Sequence, residues 1–196
     1  EVTIQNLIIK GFDPGTANNP YRGFVYTSFQ ERATKVSHQN VSKLARAAGD
    51  ETLQVICNTI ASDEARHERA YTKFMGYLFE QDPTGALLAF RDVLQNQIVM
   101  PAQNMGGTGG PDLFEHFSAV AQRLGVYTAE HYAQIVTHLV ERWRVESLAG
   151  LTGEAAAAQE YVCTLGPRYR RLAERASRRA TPAPPQAFSW IFGRAA

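Results

Sequence analysis

The chain has 196 residues, 44% of them hydrophobic and 20% charged, a composition typical of one ordinary globular domain. Its formal net charge of +1 gives the whole chain no electrostatic basis for binding nucleic acid. No run of about 18 apolar residues occurs, so the sequence predicts no membrane span. Two cysteines, Cys57 and Cys163, are too few for a disulfide framework and favour a reducing compartment.

The chain opens directly on a helix-like run from Glu1 to Lys10, without a methionine, a targeting segment or a capping residue before it. This start indicates a chain that begins in the middle of a structure. A loop rich in turn residues is predicted over residues 11–24, and a helix from about Ser28 to Ala48, where Gly49 ends it.

The segment from Glu51 to Gln81 predicts a long amphipathic helix. Residues spaced alternately three and four apart form an apolar stripe, which predicts a face turned to a bundle core. The members of this stripe are Leu53, Cys57, Ile60, Glu64, His67, Tyr71, Phe74 and Leu78.

The residues after Gln81 predict several shorter helices. One runs from about Thr84 toward Pro101, and others begin near Asp112, after Thr128 and after Thr152. No fixed-period repeat or second domain is visible. The sequence therefore predicts a single domain over residues 1–196, an all-α bundle whose N-terminal helices are absent or supplied elsewhere.

Glu64 and His67 interrupt the apolar stripe with two polar side chains on one helix face. A buried carboxylate without a partner is costly, so it must find a cation, a donor or a metal. A Glu-x-x-His pair that faces a bundle core is typical of dimetal helical bundles. Glu31, beside Thr34 and His38 on the preceding helix, could add a carboxylate. A buried salt bridge or an exposed face remains the alternative for the pair, and a hydrogen-bonded core histidine for His38.

Five longer strings carry a family resemblance. They are NNPYRGFVYTSFQERAT, IASDEARHERAYTK, IVMPAQNM, DLFEHFSAVAQRLGVYT and FSWIF. In this order they resemble the plant-type (plastid) acyl-[acyl-carrier-protein] desaturases, the stearoyl-ACP desaturase family, over essentially the whole chain. The resemblance implies a homodimer with a ferritin-like bundle in each subunit. Four helices of that bundle hold two irons through two lone glutamates and two Glu-x-x-His pairs.

The resemblance assigns roles residue by residue. Glu31 matches the second lone glutamate, while Glu64 and His67 match the second Glu-x-x-His pair. Thr34 matches a threonine on the oxygen-binding side of the irons, and Asp63 matches a carboxylate that orients a metal-binding histidine. The first lone glutamate and the first pair have no counterpart here. The chain is therefore expected to be the C-terminal portion of such a protein, with half of the diiron ligands.

The resemblance also implies an activity. Ferredoxin reduces the diiron centre, which then uses O2 to place a cis double bond in a saturated acyl chain on acyl carrier protein, during fatty acid biosynthesis in the plastid stroma. The positions that match the substrate tunnel, apart from Thr34, are Gly23, Phe24, Tyr26, Met100 and Pro101. The same residue types also suit ordinary core packing.

Two other interpretations remain open. The chain could be a truncated, catalytically inactive paralogue or fragment that acts as a structural or interaction protein. It could also be another ferritin-like oxidase, although FSWIF and QRLGVYT argue against this. With three of six protein ligands, the chain alone is expected to bind at most weak, substoichiometric iron and not to desaturate acyl-ACP.

Basic charge is concentrated near the C-terminus. Residues 166–180 carry six arginines and one glutamate, while the whole chain has a net charge of only +1. The arginines could form a solvated helix face or dock an acidic partner, either acyl carrier protein or ferredoxin. The candidate docking residues are Arg168, Arg170, Arg171 and Arg175.

Overall fold

A computed structural model of the protein describes residues 13–96, 98 and 113–179. Regular structure in these ranges is entirely helical, which confirms the all-α prediction and agrees with the expected ferritin-like class. The elements are α1 Pro20–Ala48, α2 Glu51–Gln81, α3 Pro83–Gln95, α4 Leu113–Arg123, α5 Ala129–Arg142, a 3-10 turn Val145–Ser147 and α6 Gly153–Arg179. In the part of the chain described, no helix combines the length and apolarity needed to cross a membrane.

Helix α1 begins at Pro20, well before the predicted start near Ser28. The side chain of Asn19 accepts hydrogen bonds from the backbone N–H groups of Tyr21 (2.9 Å) and Arg22 (3.2 Å). Proline at the first helical position lacks only an N–H that would have no partner there. The loop predicted over residues 11–24 is therefore wrong from Pro20 onward, because Asn-Pro is a helix start here and not a turn.

The other helix boundaries follow local signals. Helix α2 has the predicted bounds, and the Asp82 side chain accepts a hydrogen bond from Gly85 N (2.8 Å) to cap α3. Thr128 caps α5 in a capping box with His131, as its position predicted. Helix α3 ends at Gln95. The predicted helix over residues 1–10, the glycine-rich loop and the FSWIF tail lie outside the described residues.

Helices α1 and α2 form an antiparallel hairpin whose turn is closed by Gly49 at φ 77° and by Asp50, which caps α2. Helices α3 and α5 pack against this hairpin, and α6 packs against α3 and α5. Together these helices bury Phe29, Phe90 and Leu139 with other apolar side chains.

The phase of the apolar stripe on α2 differs from the prediction. The residues of α2 that are buried are Cys57, Ala61, Glu68, Thr72, Met75 and Phe79. Leu53 and Phe74, which were predicted to face the core, are 39% and 47% exposed. Apolar residues continue around α2 beyond one face, so spacing alone did not identify the side that packs. Glu64 and His67 consequently lie at the edge of the described core.

Trp143 joins the aromatic part of this core to α2. Its ring lies 4.9 Å from Phe90 in an edge-to-face arrangement and 5.4 Å from Phe79. Its indole N–H donates to the backbone carbonyl of Thr72 at 3.0 Å. The tryptophan therefore contributes both apolar burial and a directional link between α5 and α2.

Replacing Phe90 with alanine should remove a fully buried ring and leave a cavity against Trp143. We expect the free energy of unfolding to fall by about 3–5 kcal/mol. The matched control is Phe117→Ala, because Phe117 is 52% exposed, and its effect should stay within about 0.5 kcal/mol. Urea denaturation measures both values. Equal losses in the two variants would contradict the assigned core.

Candidate metal centre

Glu31, Glu64 and His67 come together on one face of the α1–α2 hairpin. The Nδ1 atom of His67 lies 3.2 Å from Glu31 Oε2 and 3.2 Å from Glu64 Oε2. One possible ligand atom from each residue lies within 4.8 Å of the other two. Antiparallel packing brings Glu31 opposite the Glu64–His67 turn, so residues 36 positions apart in the chain become direct neighbours.

The cluster is open on one side. The carboxylate side chains of Glu31 and Glu64 are 17% and 19% exposed, whereas the His67 ring is 55% exposed. The carboxylates therefore lie in the crevice between the helices, with the imidazole at its rim. A cation could reach the carboxylate oxygens without unfolding either helix.

The two carboxyl groups do not ionise independently. Burial, followed by the hydrogen bond to Glu64 and its negative charge, raises the pKa of Glu31 to about 7. Burial also raises the pKa of Glu64, but hydrogen bonds with Glu31 and His67 outweigh it and bring that pKa below its ordinary value. The hydrogen bond to Glu64 is the main reason that the pKa of His67 is raised. Near neutral pH the cluster thus holds a proton that a metal cation could replace.

The donor set fits a transition metal ion. Two carboxylate oxygens and one imidazole nitrogen are ligands that divalent iron, manganese and zinc accept. A bound dication would also favour the ionised form of Glu31, which burial and then the neighbouring Glu64 oppose. Three protein ligands leave coordination positions open for other donors.

Thr34 and Asp63 lie close to the cluster along the chain but bond elsewhere. The Thr34 hydroxyl donates to the backbone carbonyls of Glu31 (3.0 Å) and Gln30 (3.2 Å), one turn earlier in α1. Asp63 forms an ion pair with Arg66 on its own helix. Both hydrogen bonds recorded for the His67 ring go to Glu31 and Glu64, so the structure does not show Asp63 orienting this histidine.

Three of the five predicted tunnel residues lie in the part of the chain that the structure describes, near the start of α1. Phe24 lies 5.7 Å from Phe74 and 6.3 Å from Tyr71, ring centre to ring centre, in an aromatic cluster one to two turns from His67 on α2. A Cβ atom added at Gly23 would meet nothing within 4 Å, so this position is open. Tyr26 packs partly against the core, and burial raises its pKa to about 12. The remaining two residues, Met100 and Pro101, lie outside the described residues.

The four candidate docking arginines lie far along α6 from its start and are all exposed. Arg170 also lies 3.5 Å from Glu130 of α5. The helix buries Leu165 and Ala173 on its inner side. Exposure of this kind is compatible with both readings, a solvated helix face and a docking surface.

Sequence reasoning missed a second charged cluster beside the first. Glu68, which directly follows His67, is buried, and its carboxylate contacts Arg32, Lys35 and His138. Sequence spacing does not connect His138 with Glu68, because the two residues lie on different helices. The local sequence signal for this cluster is the pair Arg32 and Lys35, two basic residues spaced three apart directly after Glu31.

Comparison with known proteins identifies relatives. The sequence matches the protein family described as "Fatty acid desaturase" over residues 1–192. It is 58% identical over 194 residues to the rice (Oryza sativa subsp. japonica) protein named stearoyl-[acyl-carrier-protein] 9-desaturase 5, chloroplastic, with 99% of this chain and 50% of the relative aligned.

Two further relatives have closely related names. The spinach (Spinacia oleracea) stearoyl-[acyl-carrier-protein] 9-desaturase is 59% identical over 194 residues, covering 99% of this chain and 49% of the relative. The Arabidopsis thaliana stearoyl-[acyl-carrier-protein] 9-desaturase 6 is 57% identical over 197 residues, covering 99% of this chain and 50% of the relative. The chain thus spans about half the length of the curated relatives it matches.

Replacing Glu31 with glutamine should stabilise the metal-free protein above neutral pH. The folded-state pKa of about 7 lies above the ordinary 4.5, so folding loses stability as pH rises between these values and the whole loss is present above pH 7. Glutamine does not ionise and avoids this loss. We expect a gain of about 1 kcal/mol near pH 8, reduced by solvent screening, and little gain near pH 4.5. Urea denaturation at both pH values measures it; an equal effect at each would contradict the assigned coupling.

Proposed function

Because the chain belongs to the fatty acid desaturase family, we propose that it contributes the metal-binding hairpin of an acyl-[acyl-carrier-protein] desaturase. This enzyme introduces a cis double bond into a saturated acyl chain carried on acyl carrier protein. The observation that carries the proposal is the convergence of Glu31, Glu64 and His67 on one open face. A chance Glu-x-x-His pair gives no reason to expect a further carboxylate from the neighbouring helix at the same place.

Glu31, Glu64 and His67 would hold iron in a diiron centre. When bound, iron supplies the oxidising power that an unactivated C–H bond requires, with O2 as oxidant and ferredoxin as the source of electrons. The carboxylates neutralise the charge of the metal, and the helical hairpin fixes the spacing of the ligands. The hydroxyl of Thr34, one turn beyond Glu31, is a further polar group on this part of α1.

The aromatic cluster next to the ligands suits an acyl chain. Phe24, Tyr71 and Phe74 would give the chain an apolar surface to lie on, and Gly23 leaves the adjacent space free of a side chain. An acyl chain against this surface would lie within one to two helical turns of His67. Orientation of the substrate carbon toward the metal is the part of catalysis that such a surface provides.

Acyl carrier protein is the proposed partner of Arg168, Arg170, Arg171 and Arg175. Acidic surfaces are steered by concentrated positive charge, and the guanidinium fork also suits the phosphate of the carrier's prosthetic arm. The names of the relatives support the plastid as location. A homodimer and reduction by ferredoxin, which the family resemblance implies, belong to the same proposal.

Replacing Glu64 with glutamine should abolish the activity. Glutamine keeps the size of the side chain but loses the negative charge that a ligand needs. In a form that carries the complete diiron ligand set of the family, supplied with stearoyl-ACP, reduced ferredoxin and O2, we expect product formation to fall at least about 100-fold. Gas chromatography of the released acyl chains measures it.

The control for this experiment is Glu80→Gln, at an exposed position of the same helix. This variant should keep normal activity and bind iron to the same extent as the parent protein. Normal desaturation by the Glu64→Gln variant would refute the role of Glu64. Iron bound at Glu31, Glu64 and His67 without any acyl product would refute desaturation while leaving the metal site intact.

Replacing Arg170, Arg171 and Arg175 together with alanine should weaken binding of acyl-ACP. Long-range attraction is screened by salt, so the loss should be about tenfold or more at low ionic strength and smaller near 0.5 M salt. Titration calorimetry at both salt concentrations measures the affinity.

The matched control removes the same charge elsewhere, from the exposed residues Arg46, Arg69 and Arg142. If this control weakens binding as much as the α6 variant does, net charge and not the α6 surface is responsible. Unchanged binding by a folded α6 variant would leave these arginines as a solvated helix face.

A further inference from the structure

Glu68 is the single charged residue that is buried among those the structure describes, with 6% exposure. Its carboxylate is held from two helices. Arg32 Nη1 lies 2.5 Å from Oε1 and Lys35 Nζ lies 3.0 Å from Oε2, both reaching across from α1. His138 Nε2, from α5, lies 3.2 Å from Oε1. We call these four residues the Glu68 clamp.

The clamp and the metal-donor cluster are adjacent in sequence on both helices. Arg32 directly follows Glu31 in α1, and Glu68 directly follows His67 in α2. Neighbouring residues of an α-helix project about 100° apart, so clamp and donors occupy adjoining faces of the same turns. A rotation or slide of either helix that moved the donors apart would also break the clamp.

Helix α2 has a second polar link to α5 one turn further on. The Thr72 hydroxyl donates to the backbone carbonyl of Glu68 at 2.7 Å, and the Thr72 carbonyl accepts from the indole N–H of Trp143 at 3.0 Å. Thr72 and Trp143 are both buried. The donor-bearing turn of α2 is therefore tied to α1 on one side and to α5 on the other.

Apolar packing near these turns is less directional than the clamp, and part of it is made by small side chains. Ala33 of α1 and Ala61 of α2 are buried there, at 0% and 5% exposure. Small side chains let two helices approach closely, but they interlock less than large ones and permit neighbouring registers. A clamp that engages both oxygens of one carboxylate selects a single register.

We propose that Glu68, together with Arg32, Lys35 and His138, is a positioning residue that fixes the rotation of α1 against α2 and so sets the spacing of the donors Glu31, Glu64 and His67. The inference rests on the proposed metal role of these donors. Glu68 does not touch the metal; it acts through the helices that carry the ligands.

The first test compares Co²⁺ binding by Glu68→Gln with binding by the parent protein. Glutamine keeps the size of the side chain but cannot hold two cations. We expect Co²⁺ affinity to fall about tenfold or more, with an altered visible absorption spectrum, as for other groups that support metal ligands. Glu68→Asp keeps the charge and should retain affinity within about threefold.

The matched control is Asp92→Asn. Asp92 pairs with Arg22 at 2.6 Å and with Arg91 at 2.7 Å, and so links α1 to α3 away from the donors. This variant also loses a partly buried carboxylate with two arginine partners. It should lower the free energy of unfolding but leave Co²⁺ affinity and spectrum unchanged. A loss of Co²⁺ affinity in Asp92→Asn equal to that in Glu68→Gln would overturn the inference.

The second test needs no metal. Spin labels on cysteines at the exposed positions Gln39 and Arg69, with Cys57 and Cys163 replaced by alanine, report the distance between α1 and α2 by pulsed electron resonance. The distance distribution should broaden or shift in Glu68→Gln and remain unchanged in Asp92→Asn. If Glu68→Gln does not fold, Glu68→Ser at low temperature takes its place.

The two tests separate the possible failures. Absence of Co²⁺ binding in the parent protein would refute the proposed metal role, while the label distances would still decide the role of Glu68. Unchanged label distances in Glu68→Gln would overturn the inference, whatever the metal affinity.

Discussion

The antiparallel pairing of α1 with α2 is the constraint on which the rest of the described structure depends. The turn at Gly49 and Asp50 starts the pairing, and contacts then recur along both helices. Near the turn, Ser42 donates to Asn58 at 2.7 Å; at the far end, Phe24 packs on Phe74. The donor cluster lies between these points. Its geometry is therefore a consequence of the register of the whole hairpin.

The sequence predicts the parts of this arrangement that depend on local signals. The Glu51–Gln81 helix has its predicted bounds because both ends carry local signals. Asp50 caps its start, and Asp82 is the residue at which it ends. The candidate donors were found because a Glu-x-x-His pair interrupts an apolar pattern. The start of α1 was missed because the asparagine before Pro20 suits a turn as well as a helix cap, and only the hydrogen bonds decide between the two.

Features that depend on contacts between distant residues could not be predicted in this way. The apolar pattern of α2 suits more than one face, so the helices that pack against α2, above all α1, decide which face is buried. Glu68 looks like a surface charge in the sequence, since its partners Arg32, Lys35 and His138 come from two other helices. A charged residue on a buried face can be recognised only once the fold shows which residues pair with it.

The two acidic clusters on this hairpin have opposite electrostatic conditions. Burial opposes ionisation of Glu68, but hydrogen bonds from His138, Arg32 and Lys35 outweigh it and lower its pKa to about 2. This ionised carboxylate stabilises the fold above the ordinary pKa of 4.5, and the contribution is lost as pH falls from there toward 2.

Glu31 is in the reverse situation, because burial and then the neighbouring Glu64 raise its pKa to about 7. The protein thus surrounds Glu68 with positively charged side chains. The carboxylates of Glu31 and Glu64, at the open face, have less positive charge beside them. A bound cation would therefore stabilise the donor cluster of Glu31, Glu64 and His67, and the Glu68 clamp keeps the two helices in place for it.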